Sequence, residues 1–301
     1  MSSSTRASAT EPGARLRHVL GAVLRELRRT LRRHPSIAIG GGILLVIGLL
    51  SVGATVFEAY DPLSQRPRDR LQSPSAAYWF GTDMLGRDIY SRTVHGGRIS
   101  LLVGLSVAAM ATVIGVAIGL VAGFIRAVDA FVMRLMDALM AIPAILLAIA
   151  LVSLWGASVG SVIIALTIPE VPRMVRLVRG VVLQLREQPF VQAAISVGTS
   201  TPRILARHIL PHTLAPVIVQ ATYICAQAVL FEAYLSFVGA GTPPEIPSWG
   251  NIMAEGRMFF HRNFSIILFP GLFLAATVFA INALGDGLRD RLDPRMARRL
   301  R

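Results

Sequence analysis

The chain has 301 residues, of which 53% are hydrophobic and 16% charged, with a formal net charge of +13. That balance fits a polytopic membrane protein better than a soluble domain. All 30 basic residues are arginine, which excludes a P-loop and a Schiff-base enzyme, since both need a lysine amine. If ATP powers this chain, another polypeptide binds it. The arginines cluster beside apolar runs on alternating sides, as topology signals do, so no nucleic-acid partner is expected. The single cysteine, Cys225, lies in an apolar run and allows neither an intrachain disulfide nor a Cys-rich metal site.

Residues 1–13 are small and polar, while 14–33 place Leu16, Val19, Leu20, Val23, Leu24, Leu27 and Leu31 on one helical face and seven arginines on the rest. This pattern predicts an amphipathic helix lying on anionic lipid. Ser36 to Phe57 is a run of 22 residues, about 33 Å of helix, which suits the hydrocarbon thickness. Further spans are predicted at 99–124, 132–155, 157–178, 213–238 and 263–285, making six, with Pro169, Glu170 and Pro172 interrupting the fourth. The expected organisation is a tail at 1–35, a first span and outer loop at 36–98, a core at 99–285 with a loop at 186–211, and a tail at 286–301.

Six spans put both termini on one side, and arginine chooses the side. The tails, the 124–134 turn and the 173–211 segment hold 22 arginines, whereas the loops at 58–98 and 239–262 hold 8. Both termini and the 173–211 segment are therefore expected in the cytoplasm. In the second span Ala111, Gly115, Gly119 and Gly123 recur every four residues, so one face lets a neighbouring helix approach closely. The neighbour is either within the bundle or on another subunit.

The 173–211 segment reads RMVRLVRGVVLQLREQPFVQAAISVGTSTPRILARHILP, which is too long and too patterned for a simple turn. Pro189 and Phe190 open a short helix whose small face is Ala193 and Ala194, and Gly198 breaks it. A second short helix starts near Thr201-Pro202, with Thr201 as its expected N-cap and Pro202 in its first turn. Pro211 marks the return toward the membrane. Alone, this pattern is either a docking peg or an amphipathic connector.

QAAISVGTSTPRILARHILP resembles the E-A-A-x-x-x-G-x9-I-x-L-P loop of ABC importer permeases. Ala193, Ala194, Gly198, Leu210 and Pro211 match, while Gln192 replaces the Glu and His208 takes the Ile position. Three more segments, Phe80 to Leu101, Tyr234 to Arg257 and Asn282 to Arg295, resemble the second permease subunit of dipeptide, oligopeptide and nickel importers. The resemblance implies an all-α polytopic fold of the type I ABC importer kind. It implies a non-enzymatic subunit that binds no cofactor itself, with ATP and Mg on two partner ATPase subunits. A second homologous permease, an extracytoplasmic substrate-binding protein and membrane lipid would complete the assembly. The short helix at Gln192 would be the helix coupling the permease to an ATPase. The expected cargo is a peptide and the expected location the bacterial inner membrane; a nickel-chelate importer is the alternative within transport, and a membrane scaffold or enzyme the alternative outside it.

Other residues are weighed on local chemistry. Glu232 and Glu170 are carboxylates within spans, costly unless they meet water or a partner, so each is a candidate for the translocation path or a gate, or else a structural hydrogen-bond acceptor. Thr82-Asp83 can cap a helix in which Asp88 and Arg92 pair at i,i+4. Trp249 suits the membrane interface. Asp137 is expected as a helix-end carboxylate near Arg134. Asp286, Asp290 and Asp293 alternate with arginines as a charged cap. The six histidines form no metal-ligand cluster in sequence.

Overall fold

A computed structural model describes residues 34–292, so the expected helix at 14–33 and the chain beyond 292 lie outside the described residues. Among the described residues the regular structure is helical throughout, apart from one isolated bridge between Thr82 and Asp88. Helices α1 (Pro35–Val52) and α2 (Ala54–Phe57) replace the single first span, with the break at Gly53. The 36 residues of α3 (Ile89–Phe124) give about 54 Å, longer than a hydrocarbon core of about 30 Å. Its opening turns therefore extend beyond the predicted span at 99–124.

The predicted third span, 132–155, is two helices. These are α4 (Arg126–Ala141) and α5 (Ala144–Trp155), bent by 86°. Pro143 explains the bend, because it lacks an N–H and drives Ile142 into extended geometry, at φ −91° and ψ 127°. The fourth span does not stop at 178. It continues as α6 (Val159–Arg186) through Pro169 and Pro172, so the first third of the 173–211 segment is helix rather than loop.

After α6 come α7 (Pro189–Ser196) and α8 (Thr201–Ile204); then Leu205–Ile209 widens into a π turn that runs directly into α9 (Leu210–Val238). Here Leu210 N–H reaches the Leu205 carbonyl, an i to i−5 bond that accommodates the missing N–H and bulky ring of Pro211. Ser200 occupies the N-cap position expected for Thr201. A short outer helix, α10 (Trp249–Gly256), precedes α11 (Ser265–Leu292), which carries Asp286 and Asp290 inside the helix rather than in a tail.

Among the described residues four helices, α1, α3, the continuous α8–α9 run and α11, are long and apolar enough to cross a membrane, and the bent α4–α5 pair makes a fifth if it is one span. The expected count of six then rests on α6. With 28 residues it is long enough, but Glu170, Arg173 and Arg176 lie along it. Its middle is buried on most sides, including Leu166, Thr167, Pro169, Glu170, Val171, Met174 and Val175, so protein rather than lipid surrounds much of it.

The most extensive helix contact joins α3 to α6. A Cβ on Gly115 would lie 2.5 Å from that of Met174, and on Gly119 or Gly123 2.7 Å from those of Val178 and Val182 respectively. The four-residue ladder is thus a seam inside this chain, closing one of the two alternatives. Met174, Val178 and Val182 are fully buried against it. Arg176 pairs with Asp137 and Arg179 with Asp129, tying α6 to α4; the second Arg179 bond is 2.7 Å. Asp137 therefore binds across helices instead of toward Arg134.

At the other end of the bundle, the 58–88 loop forms a plate. Asp88, not Thr82, caps α3, accepting from Ser91 N–H at 2.9 Å. Arg92 consequently pairs with Asp83 and Glu255, not with Asp88, and Arg87 joins the same two carboxylates. Trp249 is buried, donating its Nε1–H to the Thr93 carbonyl at 2.9 Å, rather than sitting at the membrane interface. Within this plate, burial pushes the Tyr78 phenol above its ordinary pKa, and its bond to Asp69 at 2.8 Å adds to the shift.

Placing a leucine at Gly119 should destabilise the protein by about 1–3 kcal/mol through overpacking. At Gly41 a Cβ meets nothing within 4 Å. Thermal unfolding in detergent should therefore show a lower Tm for Gly119→Leu and little change for Gly41→Leu.

Candidate functional site: the helix at 189–196 and its root

The cytoplasm-predicted segment is organised around α7. Pro189 starts the helix, where a missing N–H costs nothing. It ends in a Schellman motif. Gly198 N–H donates to the Ile195 carbonyl at 2.9 Å and Thr199 N–H to the Ala194 carbonyl at 3.0 Å. Gly198 takes φ +80°, a left-handed conformation that explains the glycine. Its missing Cβ would touch none of the described residues within 4 Å.

Val191 is fully buried and Ala194 half-buried, and Ile204 and Ile209 anchor the following turns in the same core. Gln192 and Ala193 are exposed, as are Phe190 and Ile195 in part and Val197, the last 85% exposed. These three apolar side chains are the functional candidates the sequence reading missed. The available signal was apolar residues inside a segment that the arginine count places in water. Phe190 stacks on His212, with ring centroids 5.4 Å apart, bracing α7 against the start of α9.

The loop residues divide by role. Ala193, Ala194 and Gly198 share α7 and its cap, whereas Leu210 and Pro211 sit beyond the π turn at the root of α9. Gln192 Nε2 donates to the Arg186 carbonyl at 2.9 Å. It thereby joins α7 to the last residue of α6.

The two span carboxylates are not gathered with these residues. Glu232 is fully buried, accepting from Ser100 Oγ and Ser236 Oγ, both at 2.9 Å. Ser236 Oγ in turn accepts from Thr242 N–H at 3.3 Å. Glu232 thus bonds α3 to its own helix α9, and Ser236 carries the network on to Thr242. Glu170 is buried on α6 and meets Arg173 at 3.3 Å. Among the described residues no group of three or more His, Cys, Asp or Glu side chains is placed to hold a metal ion.

Residues 115–298 match the family described as "binding-protein-dependent transport system inner membrane component". The chain belongs to this family. This permease is 53% identical over 271 residues to a probable peptide ABC transporter permease protein of Sinorhizobium fredii, covering 90% of this chain and 93% of the relative. It is 41% identical over 273 residues to the dipeptide transport system permease protein DppC of Alkalihalophilus pseudofirmus, covering 90% of each. It is 40% identical over 271 residues to the glutathione transport system permease protein GsiD of Pectobacterium atrosepticum, with 89% and 90% covered. A solved inward-facing structure of the MetNI methionine ABC transporter shares the fold, with TM-score 0.54 and 20% identity over 68% of this chain and 98% of that chain. The permease is therefore an all-α membrane subunit of an ABC importer. Family membership carries with it a membrane permease partner and ATPase subunits.

The bonding of Glu232 makes a distinguishing test. Glu232→Gln keeps an acceptor and lets a serine hydroxyl turn to accept, so permease yield and Tm should stay near wild type. Glu232→Leu strands the buried hydroxyl of Ser100 and removes one partner of Ser236, at about 1–3 kcal/mol for an unsatisfied group, and should lower Tm clearly. Equal losses in both variants would contradict the structural role.

Proposed function

We propose that the chain is the second permease subunit of an ATP-driven peptide importer, and that α7 is its docking helix for an ATPase subunit. The observation that carries the proposal is the build of α7: a short helix fixed by Val191, Ala194 and the stack of Phe190 on His212, with Ile195 and Val197 left exposed. Apolar side chains held exposed on a fixed helix in water suit a partner surface. The named roles of the relatives supply the cargo, since they include peptide, dipeptide and glutathione permeases.

In this reading 186–211 is the coupling loop, with Gln192, Ala193, Ala194, Gly198, Leu210 and Pro211 shaping it. The chain pairs with a second homologous permease, and the two share a translocation path. ATP and Mg bind to two ATPase subunits and not to this chain, and an extracytoplasmic binding protein delivers the peptide. The protein lies in the bacterial inner membrane with both termini in the cytoplasm, so 1–35 and 286–301 would be cytoplasmic ends flanking the first span and outer loop at 36–98 and the core at 99–285. Closure of the ATPase pair would move α7, and α7 would move the helices to which it is attached.

Two measurements test this. Gly198→Val strains a left-handed position, so labelled dipeptide uptake should be abolished while membrane insertion persists. Gly198→Asn, which tolerates that conformation, should retain more uptake. Normal uptake by Gly198→Val, or uptake of nickel and not of peptide, would contradict the proposal. In a Cys225→Ala background, a cysteine at Ile195 should be shielded from an impermeant thiol reagent in intact cells and one at Glu245 should react. The reverse pattern would invert the topology.

A further inference from the structure

The face of α6 turned away from the glycine seam is polar and open. Arg173, Arg176 and Gln184 are exposed on it, with Leu177 and Gly180 half-buried between them, and at about 100° per residue these side chains lie within about 60° of Arg173. On one side of the stripe Arg176 pairs with Asp137 of α4. On the other, Leu177 borders a groove of about 510 Å³ lined also by His212, Gln220 and Tyr223 of α9 and Arg289 of α11.

The stripe begins within the apolar thickness. Residues 99–124 of α3 carry no charged side chain and span about 39 Å, so a hydrocarbon core of about 30 Å placed anywhere among them takes in the level of Gly115. Met174 packs on Gly115, and Arg173 is the residue beside it. Glu170, one turn away, is buried, and both its oxygens accept from Arg173 Nη1 at 3.3 Å. A guanidinium has five N–H donors, and among the described residues Nη2 and Nε of Arg173 bond to no other group. The side chain is 43% exposed. A cation so placed is costly against lipid and is accommodated where it meets water or a partner.

We propose that this face of α6 lines the water-filled path of the cargo, and that the Nη2 and Nε edge of Arg173 binds the carboxylate of the passing peptide. The proposal rests on the peptide-importer reading. Glu170 holds the guanidinium through Nη1, which leaves the other edge for a second carboxylate in the paired, planar geometry that arginine favours. Glu170 also balances the charge, so the cargo is held weakly enough to leave. The path then runs along α6 and not past Glu232, whose oxygens are engaged by Ser100 and Ser236.

The test neutralises the buried carboxylate first, so that removing the guanidinium strands no charge. In proteoliposomes holding the importer with its ATPase subunits and binding protein, uptake of labelled dialanine at saturation is compared for wild type, Glu170→Gln and Glu170→Gln/Arg173→Gln. Glu170→Gln should stay near wild type, whereas the double variant should keep its Tm and lose uptake about ten-fold, the size of a charged hydrogen bond. Equal uptake by the two variants, high or low, or uptake lost only in step with Tm, would overturn the role of Arg173. Independently of cargo, Arg173→Cys in a Glu170→Gln/Cys225→Ala background should react with an impermeant thiol reagent supplied on both faces of the membrane. A cysteine that stays unlabelled there would overturn the path. Absence of dialanine uptake by the wild-type importer would instead overturn the peptide reading on which the proposal rests.

Discussion

The close approach of α3 and α6 determines where the rest of the molecule can lie. Gly115, Gly119 and Gly123 bring the backbone of α3 against the side chains of Met174, Val178 and Val182, at separations that a Cβ would forbid. Without a hydrophobic drive between helices in lipid, such fitted contact is what makes two helices pack as one body. The ion pairs from α6 to Asp129 and Asp137 continue the same attachment toward α4. Because α6 runs unbroken to Arg186, the packed pair reaches the base of α7 with no flexible linker between them. If α7 docks an ATPase subunit as proposed, it does so from the base of this packed pair.

The end of the bundle away from α7 is fixed by different chemistry. Arg87 and Arg92 share Asp83 and Glu255, joining the first outer loop to α10 across more than 160 positions of sequence. Glu232 and its serines then bind α9 to α3 beneath that plate. Buried charges of this kind are costly to break, since removing one partner leaves the other uncompensated. The chain is thus held by polar bonds at that end and by seam packing and the bond from Gln192 to Arg186 at the α7 end.

Much of this was legible in the sequence. Hydrophobic run length located the long apolar helices, the four-residue ladder named the seam, and the loop pattern put Gln192, Ala193 and Ala194 on one short helix ended at Gly198. What sequence reasoning missed depends on distance in space. The pairing of Arg92 required knowing that Glu255 lies beside it, and local spacing offered Asp88 instead. Trp249 reads as an interfacial residue until Thr93 is found to accept its N–H. Both a path and a structural role were open for Glu232, and its partner Ser100 lies 132 positions away in sequence. The bend at Pro143 was visible in principle, but an apolar run on both sides hid it. Conversely, Pro169 and Pro172 suggested an interruption, and burial of α6 by its neighbours overrides that local signal.

The central claim is that α7, α3 and α6 move together when the ATPase subunits close. Spin labels replacing Val197 beside α7 and Val121 on α3, both exposed, can report their separation in the reconstituted complex by pulsed electron paramagnetic resonance. The account predicts one unchanged distance distribution without nucleotide and with ATP trapped, while a label pair from Val197 to the partner permease shifts. A 197–121 distance that changes on trapping ATP would show that α7 moves independently of the bundle and would contradict the account.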